Sequence, residues 1–207
     1  MAKICPELML QQSSSSSSSS SSLYVKSTRE TFTIWMKSLV FNGNGCTVFN
    51  SKGEIVFRVD NYQESCRDEV CLMDLKGQVL FSIKREKLRV FGRWNGYGSC
   101  DEIKGRPLFQ IRRNYDMFSR ENVICYFGCD ENNVGISCYK IQQLDRNSSY
   151  KVINSTGQVV AQVKQKQSSR GFGFGGDVLT LQVEPHIDQS IIVALVTVFG
   201  LIHGKLF

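Results

Sequence analysis

The chain has 207 residues, of which 42% are hydrophobic and 21% charged, with eight cysteines, two histidines and a net charge of +6. These proportions exclude a collagen-like or wholly disordered chain, and the length suits one domain with a sizeable core. The charge is local: residues 76–120 carry eleven basic and four acidic groups, or +7, while 1–75 sum to −1 and 121–207 to 0.

The opening MAKICPELMLQQ lacks a charged start followed by a long apolar run, so no secretory signal is read. It has no Arg and carries Glu7, which also fails the composition of a transit peptide. The cysteines are therefore expected to be reduced, packed thiols, and the chain intracellular and soluble, in cytoplasm or nucleus or peripheral at membranes. Residues 11–22, QQSSSSSSSSSS, are too polar to offset their ordering entropy. Residues 1–22 are thus expected to form a disordered tail and 23–207 a single domain.

A first strand is predicted over 31–41, TFTIWMKSLVF. A weak repeat then follows: VFNSKGEIVFRV (48–59), LMDLKGQVLFSI (72–83), VINSTGQVVAQV (152–163) and a degraded copy, EIKGRPLFQI (102–111). Asn50, Asp74 and Asn154 can open a turn by accepting backbone hydrogen bonds. Gly53, Gly77, Gly105 and Gly157 can take the left-handed position that other residues resist. The two-residue period then sets Ile55/Phe57/Val59, Val79/Phe81/Ile83 and Val159/Ala161/Val163 on one face. Repeated hairpins of this kind predict an antiparallel meander, hence a sandwich or barrel. Further strands are predicted at 86–94, 122–128, 136–144 and 178–184, with 168–177, SSRGFGFGGD, as a mobile connection.

The basic block KREKLRVFGRW (84–94), read as one strand, puts Arg85, Lys87, Arg89, Phe91 and Arg93 on one face. Leu88, Val90 and Trp94 take the other. Cations about 6.6 Å apart would form a stripe that attracts phosphate, with Arg112 and Arg113 adding to it from a neighbouring strand. A merely solvated outer face is the competing account.

Other chemistry finds less support. His186 sits beside a Pro and His203 ends an apolar run, and no GxSxG motif supplies a nucleophile. The pairs Asp68-Glu69 and Asp101-Glu102 are adjacent, so an extended chain points them to opposite faces. Cys66 and Cys71, or Cys125 and Cys129, with Cys138 beyond, stand too far apart along a strand to share zinc, and only a turn at Gly128 would bring the second pair together. The glycines of 171–176 precede a strand-like DVLTLQVEP, whereas a dinucleotide site needs a following helix. No catalytic residue, cofactor or metal is expected.

The chain closes on DQSIIVALVTVFGLIHGKLF. Its length favours a helix over a strand, with Asp188 as N-cap and Gly204 just beyond the end. Ile191, Ile192, Leu195, Val196, Val198, Phe199, Leu201 and Ile202 leave it no polar stripe, so protein or lipid must enclose it. At 1.5 Å per residue, 189–203 spans about 22 Å, short of a hydrocarbon core of about 30 Å. A helix threaded through a β-barrel is the predicted solution, without a transmembrane span.

From Tyr24 to His203 the chain resembles the LURP-one-related (LOR) family of plant proteins. GDVLTLQVEPHIDQSIIVALVTVFGLIH, LKGQVLFSIKREKLRVFGRW and the hairpin turn spacing carry the resemblance. It implies a closed antiparallel barrel of about twelve strands around a central C-terminal helix, similar to Tubby C-terminal domains and phospholipid scramblases. The serine tract and the glycine-rich 171–176 loop depart from the family pattern. The resemblance brings no catalytic residues. Some members are linked to plant defence, so a non-enzymatic monomer in defence or stress signalling is expected, binding anionic phospholipid through the basic strand face. A nucleic-acid-binding regulator and a scramblase-like membrane protein are the alternatives.

Overall fold

The computed structural model describes residues 23–36, 45–61, 68–86, 93–98, 105–114, 122–127, 136–144, 149–167 and 175–204. Within them lie strands β1 (Glu30–Trp35), β2 (Gly45–Phe49), β3 (Ile55–Asp60), β4 (Glu69–Asp74), β5 (Val79–Glu86) and β6 (Arg93–Gly98). The series continues with β7 (Phe109–Asn114), β8 (Asn122–Phe127), β9 (Ile136–Gln143), β10 (Tyr150–Asn154), β11 (Val159–Gln165) and β12 (Val178–Val183), and ends in helix α1 (Gln189–Ile202). Each strand pairs antiparallel with its sequence neighbours, and β1 closes on β12 with Glu30 opposite Val183 and Trp35 opposite Val178. The result is a closed twelve-stranded barrel.

Three predicted turns form as the sequence requires. Asn50 Oδ1 accepts from the backbone N–H of Lys52 and Glu54, both at 2.9 Å. Asp74 does the same for Lys76 and Gln78, and Asn154 for Thr156 and Gln158. The fourth residue of each turn is glycine with φ of +81°, +77° and +83°, a region that a Cβ disfavours. A separate register shift lies one pair further along each hairpin, at Val48/Phe49, Leu72/Met73 and Val152/Ile153, where Val56, Leu80 and Val160 are the extra residues. Gly105 of the degraded copy also has positive φ and leads into β7.

Alternation fills the lumen. Phe57 and Val59, Phe81 and Ile83, and Ala161 and Val163 are all buried, on the predicted faces. Gly96 on β6 exists for Phe109 on β7, because a Cβ there would lie 2.2 Å from the ring. Phe109 in turn meets Phe81 edge-on at 5.3 Å.

Helix α1 occupies the centre. Asp188 caps it by accepting from the N–H groups of Ser190 and Ile191. Every residue from Gln189 to Gly200 is buried, including Ile191, Ile192, Leu195, Val196, Val198 and Phe199, while Leu201 and Ile202 are half-buried near the end. Thr197 satisfies its hydroxyl by donating to Val193 O at 2.8 Å. Gly204 follows the C-cap with φ +62°, as the sequence suggests. No helix among the described residues is long and apolar enough to cross a membrane.

One strand departs from expectation. The segment 86–94 is not continuous: Glu86 ends β5, Arg93 begins β6, and the two residues face each other across an antiparallel pair. The chain therefore reverses between them, and 87–92 lie outside the described residues. The tail 1–22, residues 37–41 of the first predicted strand, and 168–174 of the glycine-rich connection also lie outside them.

Two outcomes test this core. Leu195→Asp would bury an unpaired charge at a cost of several kcal/mol, against a total stability of about 5–15 kcal/mol. The variant should fail to yield folded protein, read by circular dichroism and soluble yield, and a cooperative wild-type-like melt would place α1 outside the barrel. The second concerns Cys46, whose thiol burial pushes from 9.0 up to about 12, eased by a hydrogen bond with Thr197 and reinforced by Asp60. A pKa raised by folding gives stability that is complete below pH 9 and is lost as pH rises towards 12. Urea midpoints should fall across that window, and Cys46→Val should flatten part of the fall; an unchanged slope would contradict it.

Candidate anion-binding rim

The barrel has two unlike ends. At one lie the tight Asx-Gly turns and the N-terminus of α1, where Val25 bridges to Asp188. At the other, Tyr150 at the start of β10 stacks on Phe199 with ring centroids 4.4 Å apart. Arg113, near the end of β7, donates to Ile202 O at 3.2 Å there. This second end, the rim, is where β5 and β7 finish and β6 begins, so all the described candidate cations meet on it.

They do not share a face. Arg85 has the inward parity of Phe81 and Ile83 and stands opposite Trp94, but at the rim it reaches solvent and is half-exposed. Its guanidinium lies 3.5 Å from Asp68, whose carbonyl also accepts the Arg85 N–H. Arg93 points outward and meets Glu86 at 3.4 Å. Lys87 and Arg89 lie outside the described residues.

Arg112 and Arg113, adjacent on β7, part company. Arg112 faces outward directly opposite Arg93. Its Nε donates to Gln110 Oε1 at 2.7 Å, with a second guanidinium nitrogen on the same oxygen, and Gln110 donates onward to Asn95 Oδ1 at 2.7 Å. The guanidinium carbon sits 5.3 Å from the Tyr126 ring centroid, a cation–π contact. Arg113 instead turns into the lumen, to a helix C-terminus whose carbonyls favour a cation. It belongs to the core and not to the expected stripe.

The fold also gathers cations that the sequence reading omits. Lys84 faces outward from β5, 3.3 Å from Glu69. Lys140 on β9 lies opposite Ile124, itself opposite Arg112. An outer row thus runs Glu86, Arg93, Arg112, Ile124, Lys140 across five strands, each step about 4.8 Å. Charge that the sequence strings along one strand is spread across several. Lys84 was legible only with the strand end known, and Lys140 only with the register.

The remaining chemistry-bearing residues stand apart from this row. His186 occupies the turn before α1 with φ +62°. His203 is the C-cap, its ring 4.1 Å from Phe199 and its Nδ1 2.7 Å from Phe199 O, where it donates. Among the described residues no three of His, Cys, Asp and Glu gather as a metal site, and Cys46 and Cys125 are buried thiols. Cys66, Cys129 and the pair Asp101-Glu102 lie outside the described residues. On the wall opposite the cation row, Gln162, Lys164, Thr180 and Gln182 line an open depression of about 650 Å³ whose lining is mostly neutral and polar.

The comparisons agree with this architecture. The LURP-one-related family model matches residues 30–200. Among Arabidopsis thaliana relatives, Protein LURP-one-related 4 is 45% identical over 88% of this chain and 83% of its own length. Protein LURP-one-related 11 is 42% identical over 98% and 89%. A crystal structure of an Arabidopsis thaliana protein superposes with a TM-score of 0.61 at 16% identity, over 84% of this chain and 91% of that one, which shows a shared fold. With a family model over most of its length and relatives this similar, the chain belongs to the LURP-one-related family.

Proposed function

We propose that this LURP-one-related protein is a non-enzymatic interaction module of plant defence or stress signalling. On this reading it meets the phosphates of anionic phospholipid headgroups with the outer cations of its rim. Arg93 and Arg112 are central to the site, with Lys84 and Lys140 beside them.

The pairing of Arg93 with Arg112 carries the reading. Like charges directly opposite on neighbouring strands destabilise a sheet. Glu86 and Gln110 offset part of that repulsion, and a phosphate seated between two guanidinium planes would remove more. The filled lumen supports the same location, since α1 takes the space in which a barrel of this width could otherwise hold a ligand. A nucleic-acid partner would use the same cations but needs a longer basic track than a row interrupted by Ile124 and ended by Glu86. A scramblase-like role would require α1 in lipid, whereas its residues up to Gly200 are enclosed by strands.

The test is sedimentation of the full chain with phosphatidylcholine vesicles, with and without a phosphoinositide. Binding should require the anionic lipid and weaken with salt. Each lost cation near a membrane surface weakens binding by about 1 kcal/mol, so Arg93→Gln with Arg112→Gln should reduce affinity by at least about tenfold. Arg113→Gln should lower the melting temperature and leave vesicle affinity unchanged, because its guanidinium is held on α1. Equal sedimentation with neutral and anionic vesicles would sink the proposal.

A further inference from the structure

The three sister turns form an internal comparison of what the fold needs and what it leaves open. In Asn50-Ser51-Lys52-Gly53, Asp74-Leu75-Lys76-Gly77 and Asn154-Ser155-Thr156-Gly157 the Asx side chain and the glycine make the turn by the same hydrogen bonds. The second and third residues are exposed in all three. Ser51 and Ser155 occupy the second position in two of them, while the third places Leu75 there with 67% of its surface in water. The turn gains nothing from that leucine, and exposure of an aliphatic side chain is unfavourable.

Leu75 is not alone. Leu108, 40% exposed, leads into β7 with the outward parity opposite to buried Phe109. Its N–H donates to Gly96 O on β6. By register Leu108 stands level with outward Tyr97 and with Ser82, so Leu75, in the turn beyond Val79, lies at least two strand spacings across the wall and more than about 10 Å further along it. Burial raises the pKa of the Tyr24 phenol, which lies close enough to Asp74 for that carboxylate to raise it further, and Leu23, 85% exposed, precedes Tyr24 in the chain. Lys76 and Arg106 flank the two leucines in sequence.

These tips crown the turn end of β5, β6 and β7, the strands whose rim ends carry Lys84, Arg93 and Arg112. From Lys84 to Val79 along β5 is about 17 Å. One wall therefore ends in cations on the rim and in protruding leucines with flanking cations at the turns.

We propose that this wall lies along an anionic bilayer, with Leu75 and Leu108 inserted among the headgroups while the rim cations hold phosphates. The inference rests on the lipid reading above and adds its second foothold and the orientation of the barrel. Separate aliphatic tips flanked by Lys and Arg suit a bilayer, where each inserted side chain acts on its own and the cations meet anionic lipid. A protein partner would need a broader contiguous patch than three leucines supply.

The experiment uses the full chain with the same vesicles, part of the phosphatidylcholine carrying brominated acyl chains. Leu75→Trp should show fluorescence quenching above the background of Trp35 and Trp94, and Ser155→Trp, on the opposite wall, should show none. Leu75→Ser, which reproduces the sister turns and so keeps the fold, should bind anionic vesicles roughly tenfold more weakly. If the native chain binds anionic vesicles while Leu75→Trp stays unquenched and Leu75→Ser binds equally well, the inserted tip is wrong and the lipid reading stands. If the native chain binds no anionic vesicle, the lipid reading falls and takes the tip with it. A loss of self-association in Leu75→Ser, measured by sedimentation velocity without vesicles, would make the leucines a contact between copies and overturn the proposal.

Discussion

The lumen of a twelve-stranded barrel is too wide for wall side chains to fill, and this protein solves the problem with its own C-terminal helix. An eight-stranded barrel can close over its inward side chains, whereas wider ones hold water, a ligand or a plug. Here the plug is α1, which must be apolar on every side because strands surround it. The dependence is mutual: β1 and β12 close the barrel around a helix that begins only a few residues after β12 ends. Closure of β1 on β12 makes the pairing of the first and last strands a contact between distant parts of the chain, the kind that forms slowly.

That constraint decides where polar groups can sit. Inside, several polar groups on the helix path are matched locally: Thr197 to Val193 O, Asp188 to the first helical N–H groups, His203 Nδ1 to Phe199 O. Tyr150, wholly buried, has its phenol pKa pushed up by desolvation and by Cys46, and both side chains stay neutral across the physiological range. Arg113 enters the lumen where the helix C-terminus offers it carbonyl oxygen. Cations beyond those the core can accept must stand on the outside or the rim.

The hairpins and the helix were legible because each rests on short-range chemistry. An Asx residue three positions before a glycine fixes a turn within five residues, and the apolar run from Ile191 to Ile202 fixes a buried helix by its length. The family resemblance, through segments spread along the chain, extended this to the count of strands and the closed barrel. The basic site was only half legible. Reading KREKLRVFGRW as one strand assumed an unbroken two-residue period, and the reversal between Glu86 and Arg93 breaks it. Arg85 and Arg93 consequently fall on opposite sides of the wall. The pairings of Arg93 with Arg112, and of Ile124 with Lys140, arise from register between distant segments, which no local spacing encodes.

Neighbours on β7 sharpen the distinction between side chains that serve the lumen and those that stand on the outer face. Arg112 and Arg113 have the same chemistry and differ by one position, yet one supports the helix end and the other faces solvent beside Gln110 and Tyr126. Asp74 and Leu75 show the same split within one turn: the aspartate makes it, and the leucine is indifferent to it. In a barrel with its centre occupied, function is sought among residues of the second kind. Leu75 and Leu108 are such residues, and Arg93 and Arg112 share their outer wall, the first held by Glu86 and the second by Gln110 and Tyr126. All belong to β5, β6, β7 or the turns that lead into them, so one wall collects the outward cations and the exposed leucines.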